Sequence, residues 1–456
     1  MTQVSGRGRN MQRYTSVLLG ALAYLVGTNA SYGVTAASVC PAPQPSTNMT
    51  TTFYSDFTAS NTLNASQWTP FYGLHGGLSQ ELELYLPWEA YTIQGTGLVL
   101  QTDKSSANEV SYSKGRTYDS GEITTQGLFS QTYGHFEALA KVPQANGLWP
   151  AFWLLAENGV WPPEIDAVEY IYAQSGIVPN PAAGKYSLPA TTLHWMSSGG
   201  AASQIAPYNG STILPLQTDS SWNTKPAPAG VNSKYVGYHL YSVDWRPGSI
   251  TWLIDNAPVF CVTDNALTGA RVPNTPMYLL LNDAVTAGTQ QSPGWAGYVD
   301  PAQTFPIKYN VAYVSVSQFN DLPVQAPLPL TIRSITASPS TASPGQTIRL
   351  YATVKVGNYN LGQSINMVFG VRNFDSSQYN GIGGYKAWIP TTAINLLANE
   401  TYNMSASYTI PASLPAGRYG ISFESSYSSG PFNGPGATTR YASVPQGTLI
   451  VVTAAQ

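Results

Sequence analysis

The amino-acid sequence predicts an all-β protein built from two β-rich units. Its composition favours short strands joined by tight turns, because 41 Gly and 34 Pro accompany 30 Tyr and 11 Trp. Short runs that alternate apolar and polar residues recur along the chain, and no long segment with a period of 3.6 residues competes with them. Aromatic residues make up 12% of the 456 residues and charged residues only 9%, which is unlike a disordered protein.

Residues 1–38 have the order of a secretory signal peptide. Arg7, Arg9 and Arg13 precede an apolar run at 17–26, and small residues follow. The run is too short to cross a bilayer core of about 30 Å as a helix, so we expect no membrane span. We therefore expect a secreted protein, either extracellular or periplasmic. There Cys40 and Cys261 can form a disulfide if the fold brings them together.

Residues 39–320 form the first predicted unit. Alternating runs bounded by Gly, Pro and Asn turns predict strands at 122–124, 134–142, 165–172, 241–244, 250–254 and 277–281. The proline-rich segment 321–330, which contains LPVQAPLP, predicts a stiff and extended linker.

Residues 331–456 predict a second, smaller β-sandwich with the same alternation of strands and turns. It looks immunoglobulin-like, although it lacks the Cys…Trp…Cys core of antibody domains. Its tyrosines either pack the strands or stack against sugar rings. The unit is thus either a spacer or a carbohydrate-binding module.

The charge content excludes several classes of function. The net charge is -3, from 20 basic and 23 acidic residues, so no basic face is available for a nucleic-acid backbone. Four His and two Cys are dispersed along the chain without the spacing of a metal site. We therefore expect no nucleic-acid partner, no metal and no cofactor.

Three carboxylates fall within six residues in the sequence EIDAVE. In a regular strand Glu164 and Asp166 share one face, and Glu169 points to the other. A one-residue β-bulge within Ala167-Val168 would return Glu169 to the face of the other two. The outer carboxyls would then lie roughly 5 to 6 Å apart, the separation typical of a retaining glycosidase. The alternative is that the three acids form an exposed polar strand face.

Several motifs in order resemble glycoside hydrolase family 16, over roughly residues 52–319. They are GEITT (121–125), QTYGHFEALAKVP (131–143), GLWPAFWLL (147–155), WPPEIDAVEY (161–170), YHLYSVDWRPGSITW (238–252) and MYLLLN (277–282). The resemblance implies a β-jelly-roll sandwich with a concave glycan cleft over residues 39–320. It also implies endo-hydrolysis of β-linked polysaccharides with retention of configuration. The bulged acidic motif is similar to the laminarinase-like branches.

The resemblance also implies a role for each acidic residue. Glu164 matches the nucleophile, Asp166 the assisting acid and Glu169 the general acid/base. Trp149, Trp153 and His194 are implied to line the cleft, although Trp153 lies in an apolar run and is alternatively a core residue. As further substrate-binding residues we expect the following: Trp161, Trp195, Glu137 and Asn282.

Three functions compete at this stage. The first is a secreted, retaining endo-glycosidase that hydrolyses a β-1,3- or mixed-linkage β-glucan or a related exopolysaccharide. The second is a transglycosylase on the same scaffold, and the third is a glycan-recognition protein without chemistry. The presence of both Glu164 and Glu169 favours catalysis over recognition alone. We expect the protein to act as a monomer on a polysaccharide.

Overall fold

The structure is a computed structural model, and the chain is all-β as predicted. It describes residues 48–453 apart from 72, 76–79, 107–114, 158–160, 173–186, 198–199, 207–217, 219, 265–269, 324–329, 357–361, 364, 374–384, 392–394, 415, 428–437 and 443–448. Within the described residues the only helical segments are two 3-10 turns, Pro87–Glu89 and Trp222–Thr224. The predicted signal peptide and Cys40 lie outside the described residues, whereas Cys261 is disulfide-bonded.

Two mainly antiparallel sheets form the first half of the molecule. The outer sheet has ten strands in the order β15-β14-β13-β8-β17-β5-β6-β3, with β1 paired to β17 and β4 to β5. Their bounds are β1 Met49–Asp56, β3 Glu83–Tyr85, β4 Ala90–Ile93, β5 Gly97–Lys104, β6 Tyr118–Ser120, β8 Gly134–Lys141, β13 His239–Arg246, β14 Ser249–Ile254, β15 Ala257–Thr263 and β17 Ile307–Phe319.

The inner sheet has seven strands in the order β12-β11-β10-β9-β16-β7-β2. Their bounds are β2 Thr69–Pro70, β7 Glu122–Thr124, β9 Leu148–Ala156, β10 Glu164–Ile171, β11 Leu188–Met196, β12 Ala202–Ile205 and β16 Met277–Val285. Strands far apart in sequence thus become neighbours, as in the pairing of β9 with β16. Five of these seven strands (β7, β9, β10, β11 and β16) carry the residues discussed below.

The core lies between the two sheets and follows from strand alternation. Phe136, Ala138 and Ala140 of β8 and Phe152 and Leu154 of β9 belong to the core cluster between the sheets. Since neighbours along a strand point to opposite faces, Glu137 lies on the outer face of the ten-stranded sheet. By the same rule Trp149 and Trp153 lie on the face of the seven-stranded sheet that is turned away from the core.

All six strands predicted in the first unit are present. One matches to the residue (Glu122–Thr124), and the others differ from their predicted bounds by one to four residues at an end. The largest extension is β16, which continues to Val285 because its residues stay buried between neighbours on both sides. Stacked sheets with this core form the jelly-roll sandwich that the family resemblance implies.

The remaining strands form separate sheets with a core of their own. Three sheets have the orders β18-β20-β25, β19-β28-β26-β22-β23 (with β27 on β26) and β21-β24. Their bounds are β18 Leu330–Ser338, β19 Thr341–Ala342, β20 Thr347–Val356, β21 Gly362–Gln363, β22 Ile365–Asn373, β23 Tyr385–Pro390, β24 Asn395–Leu396, β25 Thr401–Thr409, β26 Gly417–Tyr427, β27 Thr438–Ala442 and β28 Leu449–Val452. Their apolar cluster draws only on residues 332–423.

None of the helical segments in the described part of the chain is long and apolar enough to cross a membrane.

Candidate active site

A β-bulge in β10 brings the three acidic residues of the EIDAVE segment to one face of the sheet. Against β9 the pairing shifts between Asp166 and Val168, and against β11 it shifts between Asp166 and Glu169. As a result Ala167 and Val168 both point into the core. The three acids point the other way, and the predicted bulge is confirmed.

The buried Trp252 of the opposite sheet stabilises this bulge. Its indole Nε1 donates a hydrogen bond of 2.8 Å to the backbone carbonyl of Asp166. A bulge leaves backbone groups without ladder partners, and an unpaired buried carbonyl is costly. The indole therefore compensates for the irregularity on which the acid arrangement depends.

Glu164 is held by an indole on one side and approached by an imidazole on the other. Trp161 Nε1 donates to Glu164 Oε2 over 2.8 Å. His194, the cross-strand neighbour on β11, places Nε2 3.5 Å from Glu164 Oε1. The indole donor and the nearby imidazole hold the Glu164 carboxyl group in position.

Asp166 lies beneath this pair and is almost completely buried. Its Oδ2 is 3.4 Å from His194 Nε2. Burial raises the pKa of Asp166 well above its usual range, and the charge of Glu164 and a hydrogen bond to it act in the same direction. A protonated Asp166 then donates a hydrogen bond to Glu164.

Glu169 has the opposite environment. Trp149 Nε1 and Thr192 Oγ1 each donate to its carboxyl over 3.0 Å. Even so, burial raises the pKa of Glu169 well above the usual range. Glu169 is thus suited to hold a proton and to act as the acid, because its carboxyl pKa is raised.

Trp153 and Asn282 form the floor beside the acids. Trp153 Nε1 donates to Asn282 Oδ1 over 2.8 Å, and Asn282 Nδ2 donates to the Tyr85 hydroxyl over 2.7 Å. Asp166 and Trp153 are direct cross-strand partners, so Trp153 shares their face. The tryptophan is therefore in the cleft and not in the core.

Two of the residues predicted to bind substrate lie elsewhere. Trp195 follows His194 on β11, so it points to the opposite face and is buried in the core. Glu137 lies on the outer face of the other sheet, where it accepts a hydrogen bond of 3.0 Å from the Tyr313 hydroxyl. Both predictions were wrong because sequence motifs do not reveal which face of a strand borders the cleft.

Three further residues lie at the site although none of them was predicted to bind substrate. His75 Nε2 is 2.7 Å from Glu122 Oε2, and its ring meets the Trp153 ring edge-on at 5.8 Å. Trp295 lies 4.6 Å from Trp149, ring centre to ring centre. The one available signal was Glu122, a lone carboxylate in a short apolar strand.

The acids and His194 also have the composition of a metal-binding group. Donor atoms from Glu164, Asp166 and His194 lie within 4.8 Å of one another. The indole and imidazole contacts described above account for these positions without an ion. The residues therefore support carboxylate chemistry directly, and we assign them no metal.

Comparison with known families gives one match for the first half of the chain. The model of "Glycosyl hydrolases family 16" matches residues 83–200 and 221–303. These ranges contain Glu164, Asp166 and Glu169 and the whole of β10, the strand that carries them.

Named relatives come from several bacteria. The chain is 31% identical to "Endo-1,3-1,4-beta-glycanase EglC" of Rhizobium meliloti over 48% of this chain and 38% of that protein. It is 28% identical to "Beta-glucanase" of Rhodothermus marinus over 57% of this chain and 82% of that protein. The chain thus spans less than half the length of the Rhizobium relative.

Among solved structures, the chain is similar to the endo-beta-1,3-glucanase of Pyrococcus furiosus. The identity is 26%, the TM-score is 0.43, and the match covers 59% of this chain and 95% of that one.

Proposed function

Since residues 83–200 and 221–303 of this chain belong to family 16 of the glycosyl hydrolases, we propose that the protein is a secreted, retaining endo-glycosidase. Its substrate is a β-linked polysaccharide, namely a β-1,3- or mixed-linkage β-glucan or a related exopolysaccharide. The observation that carries the proposal is the bulge, which turns Glu164 and Glu169 to one face and leaves Glu169 in surroundings that raise its pKa.

The reaction proceeds by two displacements. In the first, a Glu164 oxygen forms a bond to the anomeric carbon while the bond to the leaving sugar breaks, and the Glu169 proton passes to the leaving oxygen. In the second, Glu169 removes a proton from water, and the water oxygen displaces Glu164 from the anomeric carbon. Asp166 carries a proton, donates a hydrogen bond to Glu164 and so holds the nucleophile in position.

Sugar recognition is assigned to the aromatic residues around the acids. Trp149, Trp153 and Trp161 are half-buried on the cleft face, and the indole N–H of each donates to another side chain of the site. Their rings are suited to stack on the apolar faces of sugar rings. His194 acts as a positioning residue between Glu164 and Asp166.

The names of relatives support the glycan class. The Rhizobium relative is named for 1,3-1,4-β-glycans, and the Rhodothermus relative is named a β-glucanase. A panel of laminarin, mixed-linkage glucan, agarose and bacterial exopolysaccharides, scored by new reducing ends, identifies the substrate. Products formed at high acceptor concentration distinguish hydrolysis from transglycosylation.

The first prediction concerns Glu164. Glu164→Gln should abolish hydrolysis and retain glycan binding, with a loss of several kcal/mol in transition-state stabilisation. Glu137→Gln on the outer face is the matched control and should keep full activity. Activity of the Glu164→Gln protein within tenfold of the parent would contradict the assignment.

A second prediction concerns Glu169. Glu169→Ala should lose hydrolysis of polysaccharide but recover turnover of an activated aryl glycoside when azide is added, because that leaving group needs no acid. The product should be the β-glycosyl azide. A failure of azide to restore turnover would argue against Glu169 as the acid/base.

Export and organisation are part of the same proposal. The basic, apolar and small-residue order of residues 1–38 supports removal of a signal peptide and a secreted, monomeric enzyme. The segment 321–330 serves as linker, and residues 331–456 form an immunoglobulin-like sandwich that is a spacer or a carbohydrate-binding module. The separate apolar cluster of that region supports an independent unit.

A further inference from the structure

Glu122 lies on the same face of the seven-stranded sheet as the acid/base Glu169, but far from it along the cleft. Glu122 on β7 pairs with Asn282 on β16, which pairs with Ala151 on β9. Ala151 in turn pairs with Glu169 on β10. Three strand spacings of about 4.8 Å place Glu122 about 14 Å from Glu169 across the sheet.

Glu122 holds His75, and His75 forms part of an aromatic wall. The two side chains make a contact of 2.7 Å, with Glu122 fully buried and His75 slightly exposed. The His75 ring stacks on Phe71 at 4.7 Å and 8°. It also lies 5.4 Å from the Tyr85 ring and meets the Trp153 ring edge-on on the cleft face. Of the two partners, therefore, only His75 reaches the cleft surface.

Both members of this pair have an unused polar atom. In the part of the chain that the structure describes, His75 Nδ1 and Glu122 Oε1 are buried and have no hydrogen-bond partner. A buried donor without a partner is unfavourable, and a ligand hydroxyl relieves this cost. The orphaned His75 nitrogen thus points to a ligand that accepts a hydrogen bond.

The charges around the pair restrict the ligand. Burial alone would lower the pKa of His75, but the charge and hydrogen bond of Glu122 outweigh burial and raise it. A protonated imidazole donates from Nδ1 and cancels the charge of Glu122. The other charges acting on His75 come from Glu81 and Glu164, both acidic. An anionic sugar would be repelled here, whereas a neutral hydroxyl would not.

We propose that His75 is a sugar-binding residue that donates a hydrogen bond to a neutral hexose remote from the cleaved bond, and that Glu122 is the positioning residue that orients it. This inference rests on the proposed function and specifies its substrate class: a neutral glucan long enough to extend from Glu169 to His75. Sugars with carboxylate or sulfate groups at this position are disfavoured.

The test measures binding in the Glu164→Gln protein, so that no turnover interferes. The probes are a hexasaccharide and a disaccharide of mixed-linkage β-glucan, titrated by calorimetry. His75→Phe keeps a ring and removes the donor, and it should weaken binding of the hexasaccharide about tenfold. Binding of the disaccharide at the acids should not change. His75→Gln, which retains an amide donor, should recover part of the loss.

Three controls keep the result interpretable. His135 on the outer face also contacts a carboxylate at 2.7 Å, that of Asp244, so His135→Phe is a matched variant that should bind both probes normally. Glu122→Gln should give a smaller loss than His75→Phe, confined to the hexasaccharide. A hexasaccharide oxidised to carry carboxylates should bind more weakly than the neutral one. Circular dichroism confirms that each variant is folded.

The possible outcomes distinguish a failure of the His75 inference from a failure of the proposed enzymatic function. Unchanged hexasaccharide binding in both His75 variants, or equal losses for the two probes, would overturn the inference and leave the enzyme assignment intact. Equal or tighter binding of the oxidised probe would overturn the neutral-sugar assignment. If the protein bound neither probe and the parent hydrolysed no glycan in the panel, the proposed function itself would be wrong.

Discussion

Two glutamates five residues apart are assigned different roles because their surroundings differ. Glu164 receives an indole N–H and lies near His194. Glu169 also receives two hydrogen bonds, but burial outweighs them. Identical side chains thus acquire different roles from position alone.

The Thr192 hydroxyl offers a way to test the protonation of Glu169. It donates to Glu169 and lowers its pKa, opposing burial. Glu169 must be protonated to act as an acid, so kcat/KM should fall as pH rises through its pKa. In Thr192→Val the pKa should rise, and the alkaline limb of the kcat/KM profile should move upward by about one pH unit.

The neighbouring Thr191 is the matched control. It is equally buried, but its hydroxyl has no partner within the described residues and it alternates to the core face. Thr191→Val should leave the pH profile unchanged. A downward shift in Thr192→Val, or equal shifts in both variants, would contradict the role given to Glu169.

At the scale of the element, the bulge of β10 is the feature on which the site depends. Without the extra residue, Glu169 would point into the core together with Ile165. The sequence predicted this bulge from the spacing of the acids. It did not predict the Trp252 indole that pairs with the carbonyl at the bulge, because β14 lies more than 80 residues further along the chain.

Removing that indole donor should affect both stability and catalysis. Trp252→Phe leaves the Asp166 carbonyl unpaired and should lower the free energy of unfolding by about 1–3 kcal/mol. The misplaced acids should also lower kcat more than they raise KM. Urea unfolding and steady-state kinetics at a temperature where the variant is folded measure the two effects.

Trp245 provides the comparison for this prediction. It is also fully buried in the outer sheet, and its indole donates to a backbone carbonyl, that of Pro273, over 3.0 Å. Trp245→Phe should cost similar stability but leave kcat unchanged, since Pro273 is not at the bulge. Equal losses of kcat in the two variants would show that the bulge contact has no specific role.

At the scale of the whole molecule, a buried acid joins the two sheets behind the cleft. Asp283 on β16 accepts a hydrogen bond of 2.8 Å from Thr102 on β5 of the other sheet. Burial raises the pKa of Asp283 to about 7, although the Thr102 and Trp149 hydrogen bonds oppose the shift. The folded protein therefore holds a proton that the unfolded chain releases near pH 4.

This proton makes stability depend on pH. The stabilisation from protonated Asp283 should be complete below about pH 4 and lost as pH rises towards 7, a change of up to about 4 kcal/mol. Asp283→Asn should flatten this part of the profile in urea unfolding between pH 4 and pH 8. Asp103→Asn, at the end of the strand that carries Thr102, should leave the slope as in the parent.

The sequence by itself determined the all-β class, the six strands, the bulge and the membership of the acids in one motif. These follow from local alternation and spacing, which are properties of neighbouring residues. Sequence motifs also named Trp149, Trp161 and His194 for the cleft, but tertiary structure alone decided which other side chains complete the site. His75, Glu122 and Trp295 come from distant segments of the chain. Trp195 and Glu137 are not in the cleft, because Trp195 lies on the core face of its strand and Glu137 lies on the outer face of the other sheet. Strand order and sheet stacking set these proximities, since they bring together residues that no local pattern relates.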